Sequence, residues 1–157
     1  MSKFVLYLEV KPFLRQWLTY HYGDPVRFPL CCRQNIEIVK SLTRLAPGRT
    51  PAMPTHSTVA IVIPDNKQRP PAVYNQLSRA GEIHLRKVID DLFSDNFLSE
   101  MRRYRRDGLS VLDSVYTYCK AHHIDIDHAN TLRQRDYRER KLHAKCGVDL
   151  TYHERIC

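Results

Sequence analysis

Two stretches in the second half of the chain carry side chains suited to one kind of chemistry, the recognition of nucleic acid. Arg102-Arg103-Tyr104-Arg105-Arg106 crowds four guanidinium groups around one tyrosine. Like charges this close repel unless an anion neutralises them. Phosphate does so well, because guanidinium offers it a planar fork of donors. Further on, Asn130, Thr131, Arg133, Gln134, Arg135 and Arg138 fall within one segment. Arg suits guanine, and Asn or Gln suits adenine, because each can make paired hydrogen bonds to a base edge. Arg140, Lys141 and Lys145 would meet phosphate beyond them. Between residues 133 and 145 six basic residues face two acidic ones, Asp136 and Glu139. The competing reading of both stretches is a solvated helical surface, with cations near a helix C-terminus answering the dipole.

Other chemistries find less support in the residues. His122, His123, Asp125, Asp127 and His128 are metal-capable and close in sequence. Adjacent histidines diverge on a helix, however, and no Cys or His partner stands at a familiar zinc spacing. Asp90, Asp91, Asp95 and Glu100 are the available acids for a magnesium-dependent nuclease. They read better as a solvated stripe paired along a helix with the arginines that follow. No nucleophile with its base emerges among Cys119, Cys146 and the histidines, so no catalytic constellation is assigned and the chain is not expected to be an enzyme. Phe13, Trp17, Tyr20 and Tyr22 could stack the bases of a single strand beside Lys11, Arg15 and Arg27. At helical spacing they read first as core.

Composition sets the frame. The 157 residues are 43% hydrophobic, enough for a core, and carry 25 Lys+Arg against 17 Asp+Glu, a net formal charge of +8. Such an excess attracts polyanions. Five glycines leave little material for phosphate-cradling loops, and no cofactor is expected. The five cysteines are odd in number, and none is in C-x-x-C spacing, so neither a disulfide framework nor a zinc ribbon follows. A reducing cytoplasm fits best. The apolar run at residues 4–8 is broken by Glu9 and Lys11 and reads as a strand, with neither a signal peptide nor a membrane partner expected.

The elements that must position these side chains follow from periodicity. Residues 3–10 read as a strand, apolar on both faces and so central in a sheet. Pro12 opens a short helix through Phe13, Leu14, Trp17 and Leu18, which Gly23 stops. Val26-Arg27-Phe28 is extended. Arg33 to Leu45 places Ile36, Val39, Leu42 and Leu45 on one helical face. Residues 46–57 form a proline-rich loop, Thr58–Ile63 a second buried strand, and Asp65–Leu77 a polar loop. From Ser78, a plausible N-cap, the chain reads as helix to about Lys145. Breaks are expected near Ser94 and at Asp107-Gly108. Ser110-Val111-Leu112-Asp113 has the form of a capping box, opening a helix that carries Leu112, Val115, Tyr116 and Cys119. After a turn at His122–Asp125, Asp125 or Asp127 caps a last helix whose apolar contacts are Leu132 and Tyr137. The expected fold is therefore α+β: a small buried sheet with packed helices over 1–77, and a helical part over 78–145 ending in a helix-turn-helix-like pair. A tail follows over 146–157.

The segment Leu85–Lys141 resembles the C-terminal region of small bacterial proteins labelled putative DNA-binding and associated with phage-like or mobile elements. The resemblance rests on Phe93, Met101-Arg102, the helix from Ser110 to Cys119, Ile124-Asp125-Ile126-Asp127 and Tyr137-Arg138. Trp17-Leu18, Tyr22-Gly23 and Pro25-Val26 are similar to the opening of such proteins. It implies double-stranded DNA as partner, ahead of RNA or single-stranded DNA, and a regulatory or mobile-element accessory role. In a helix-turn-helix the second helix lies in the major groove. Arg102, Arg103, Arg105, Arg106, Arg140 and Lys141 would then hold phosphate while the segment from Asn130 to Arg138 reads bases. The alternative is a protein-interaction module with a basic surface, in which the α/β part forms a homo-oligomer.

Overall fold

A computed structural model describes residues 3–147. The fold is α+β: five α-helices and two antiparallel sheets of two strands each. The chain divides into two compact units at Leu92/Phe93, within a long helix rather than at residue 77, where composition changes.

In the first unit, β1 (Val5–Glu9) shows the two-residue period of a strand with one buried face: Leu6 and Leu8 are buried, whereas Val5 and Tyr7 are half-buried and Glu9 is exposed. It pairs antiparallel with β3 (Thr58–Val62), Val5 opposite Val62 and Glu9 opposite Thr58. The expectation that β1 is central is corrected here. β3 is the flanked strand, because the extended residue Val26 bonds its other edge. Val26 N–H donates to the Ala60 carbonyl, and Val62 N–H donates to the Val26 carbonyl, each at 2.8 Å. The near-continuous apolar run of β3 is thereby explained, with Val59, Ile61 and Val62 all buried.

Helix α1 (Pro12–Tyr22) starts at its proline and buries Phe13, Leu14, Trp17 and Leu18. Gly23, at φ +83°, donates to the Thr19 carbonyl and ends the helix. Helix α2 (Arg33–Ser41) is shorter than its apolar pattern suggests. Its buried line is Asn35 and Ile38, and Ile36 is half-exposed. The expected face through Leu42 and Leu45 does not form, because Leu42–Arg44 is a strand, β2. It pairs with β4 (Tyr74–Leu77), inside the segment expected to be loop. All four β4 residues are half-buried, so no alternation marked it. Arg69 ties the arrangement together: one guanidinium nitrogen reaches the carbonyls of Val39, Lys40 and Leu42, at 3.2, 3.1 and 3.3 Å. These are orphan acceptors at the end of α2.

Helix α3 (Arg79–Arg106) is continuous, so the break expected at Ser94 is corrected. Ser78 caps it, its Oγ accepting from Gly81 N–H at 3.0 Å. Its first turns contribute Leu85, Val88 and Ile89 to the buried core of the first unit.

The second unit packs the remainder of α3 with α4 (Val111–Ala121) and α5 (Ala129–Lys145). Phe93, Phe97 and Tyr118 form an aromatic centre, Phe97 edge-on to Tyr118 at 5.0 Å between ring centroids. The Tyr118 hydroxyl donates to Asn96 Oδ1 at 2.7 Å, satisfying the one polar atom it brings inside. Gly108, at φ +90°, turns the chain. Ser110 then caps α4 as its sequence suggests, accepting from Asp113 N–H at 3.1 Å. The buried face is Ser114, Val115, Tyr118 and Cys119. Leu112 and Tyr116, on the same helix, are exposed. Ser114 can be buried because its hydroxyl donates back to the Ser110 carbonyl at 2.7 Å. A 3-10 turn, Ile126–His128, runs directly into α5. No side-chain cap hydrogen bond from Asp125 or His128 starts either element. The carbonyls of Asp125 and Ile126 take the first N–H groups instead, so the expected Asp125 or Asp127 cap is not needed.

Candidate nucleic-acid interface

Helix α5 is anchored by Ala129, Leu132 and Asp136, an i, i+3, i+7 line. Tyr137, expected as an apolar anchor, is 56% exposed. The unusual member is Asp136, whose side chain is fully buried. It is neutralised from two sides. Arg105, itself 5% exposed, donates through one nitrogen to both carboxylate oxygens at 3.2 and 3.1 Å. Arg140 adds its Nε at 2.9 Å. A buried carboxylate is tolerable only with such charge-assisted donors around it.

This pairing redistributes the basic residues. Arg105 and Arg140, expected to hold phosphate, are drawn to Asp136, and Arg105 is removed from the surface altogether. Arg135, expected to read bases, is half-buried. Its guanidinium lies over the Phe93 ring at 5.4 Å and donates to Ser94 Oγ at 2.6 Å. Ser94 therefore serves as an acceptor within α3 rather than as a cap. Arg103 pairs with Glu100 one turn earlier and covers Tyr104. Burial pushes the Tyr104 phenol above its ordinary range, with the Glu100 carboxylate adding to the effect. Arg102 and Arg106 are exposed.

What remains outward on α5 is a coherent face. Asn130, Gln134, Arg138, Lys141 and Lys145 recur at helical spacing, all exposed, with Thr131 beside them. Arg133 is also exposed and donates to Asn130 Oδ1 at 3.3 Å. The side chains of Thr131, Gln134, Arg138 and Lys141 make no hydrogen bond or ion pair among the described residues. Neither acid of the helix interrupts this face. Asp136 is inside, and Glu139 is half-buried on the flank beside His143, 3.8 Å away. The sequence count of two acids therefore understates how positive the exposed surface is.

The other candidate chemistries are not assembled. Among the described residues no three His, Cys, Asp or Glu side chains gather as a metal site would require. The His122 ring instead lies on Tyr118, 4.1 Å between centroids. Asp91 pairs with Lys87 at 3.3 Å. Trp17 is 2% exposed, so it belongs to the core, as its helical spacing suggests, and its ring has no open face for a base. Arg15 donates to the His56 carbonyl at 2.6 Å. Among the described residues no helix is long and apolar enough to cross a membrane.

No known family, no curated protein and no solved structure matches this chain. The class it defines rests on its own geometry: an α+β chain whose second unit presents a basic, amide-bearing helix held by a buried carboxylate.

Proposed function

We propose that this chain binds double-stranded DNA without catalysing a reaction on it, with α5 as the helix that enters the major groove. The single observation that carries the reading is the outward face of α5. It sets two amides and three cations in line, with both acids of the helix turned inside or to the flank. Asn130 and Gln134 are suited to adenine and Arg138 to guanine, whereas Lys141 and Lys145 are suited to phosphate. Arg102 and Arg106, exposed at the end of α3, are further phosphate ligands in this reading. A cytoplasmic regulator or mobile-element accessory factor would need this activity, and the resemblance noted above favours such a role.

The test is binding to random-sequence duplex DNA, followed by fluorescence anisotropy across a salt series. The variant Arg138→Ala with Lys141→Ala removes two exposed cations that hold nothing inside the protein. It should weaken binding, and the loss of the Lys141 phosphate contact should lower the log–log salt slope by about 0.9. An unchanged affinity and slope would refute the assignment of α5. Equal competition by single-stranded DNA or RNA would refute the duplex reading. Arg135 is unsuited to this test, because its removal would also disturb Phe93 and Ser94.

A further inference from the structure

Asn130, Gln134 and Arg138 stand at i, i+4 and i+8 on α5, and all three are exposed. Each step advances about 6 Å along the helix axis and about 40° around it, so the three share an arc of about 80°. The buried residues Ala129, Leu132 and Asp136 lie outside that arc. Asn130 has one neighbour: its Oδ1 accepts from the Arg133 guanidinium at 3.3 Å, one turn along the helix. A guanidinium only donates, so this contact fixes which end of the amide is the oxygen. The oxygen keeps a second lone pair, and none of the described residues engages the NH2.

The three side chains match different base edges. Asn and Gln each join one donor to one acceptor. Adenine answers that pattern, because its major-groove edge sets the N7 acceptor beside the N6 donor. Guanine offers two acceptors, N7 and O6, and so suits the parallel N–H groups of Arg. The spacing then sets the order of the bases. On a helix lying in the major groove, side chains about one turn apart meet successive base pairs, as the contacting residues of a zinc-finger helix do.

We propose, on the reading of α5 as the groove helix, that this face is specific for three successive base pairs, adenine–adenine–guanine, met in that order by Asn130, Gln134 and Arg138. Arg133 is a positioning residue. It restrains the Asn130 amide by its oxygen, so that less freedom is lost when adenine is bound. Lys141 and Lys145, on the turns beyond, stay on phosphate and add affinity without discrimination.

The experiment is selection from a randomised duplex library with the full chain, followed by anisotropy on the enriched site and its single-base variants. The enriched site should contain adenine–adenine–guanine on one strand, in one of its two polarities. Replacing the guanine should weaken binding roughly 5- to 150-fold. Arg138→Ala should erase that difference and leave the preference for both adenines. Asn130→Ala should erase the preference at the adenine farther from the guanine. Arg133→Ala should weaken the preference at that same base pair alone. An equal loss on every sequence would make Arg133 a phosphate contact and overturn its positioning role. Duplex binding with no enriched triplet, or with a triplet indifferent to Arg138→Ala and Asn130→Ala, would overturn the specificity and leave α5 a phosphate-binding helix. Failure to bind any duplex would overturn the DNA reading and this specificity with it.

Discussion

Asp136→Ala is the perturbation that bears most directly on how the second unit presents α5. It removes the carboxylate that receives three hydrogen bonds from Arg105 and Arg140. Arg140 is 20% exposed and can turn its head to water. Arg105 is 5% exposed and cannot do so without opening the packing of α3 on α5. The dominant cost is therefore a buried guanidinium left without its counter-ion, worth about 3–5 kcal/mol. With a urea slope of roughly 1–2 kcal/mol/M for a unit of this size, the unfolding midpoint of the second unit should fall by about 2 M or more. Trp17 reports on the first unit, so the measurement is hydrogen exchange of α5 amides against urea. Asp136→Leu combined with Arg105→Met should recover most of the loss, since apolar residues of similar volume often replace a buried ion pair without penalty. The double variant should still bind duplex DNA, because the outward face of α5 is untouched. A loss below about 1 kcal/mol for Asp136→Ala, the value of an exposed pair, would refute the buried arrangement.

Three further outcomes follow from the packing and ionisation of single residues. Gly81→Ala should destabilise the first unit by about 1–2 kcal/mol in a denaturant series, because its Cβ would stand 2.9 Å from the Ser41 carbonyl oxygen; an unchanged midpoint would contradict that close approach. Burial pushes the Cys119 thiol up to about 11, so at pH 8 only about a thousandth of it is thiolate. Mass spectrometry after iodoacetamide treatment should find the exposed Cys31 and Cys146 labelled long before Cys119. Glu37 accepts from His84 at 2.7 Å and from Lys40 at 3.3 Å, which hold its carboxyl below its ordinary value. A depressed carboxylate stabilises the fold above its unfolded value, and that contribution disappears as pH falls through the folded one. NMR titration of Glu37 should therefore give a low midpoint that rises in His84→Ala.

Much of the architecture is legible in local pattern. The strands of the first sheet follow from β-branched and aromatic runs. The starts and stops at Pro12, Gly23, Ser78, Gly108 and Ser110 follow from backbone chemistry that a few residues determine by themselves. The basic character of 102–106 and 130–145 was equally plain. Which of those cations face outward was not, because that depends on partners distant in sequence. Arg105 meets Asp136 across 31 residues and Arg135 meets Ser94 across 41. Nothing local distinguishes them from Arg106 or Arg138. The strands β2 and β4 were hidden for the same reason: Leu42–Arg44 continues a helical pattern until Tyr74–Leu77 pairs with it. Sequence by itself determined the first sheet, most helix starts and stops, and the charge, because propensity, capping and composition act over a few residues. Tertiary structure alone decided which charges are neutralised inside and which face the solvent, because burial and pairing depend on residues far apart in the chain.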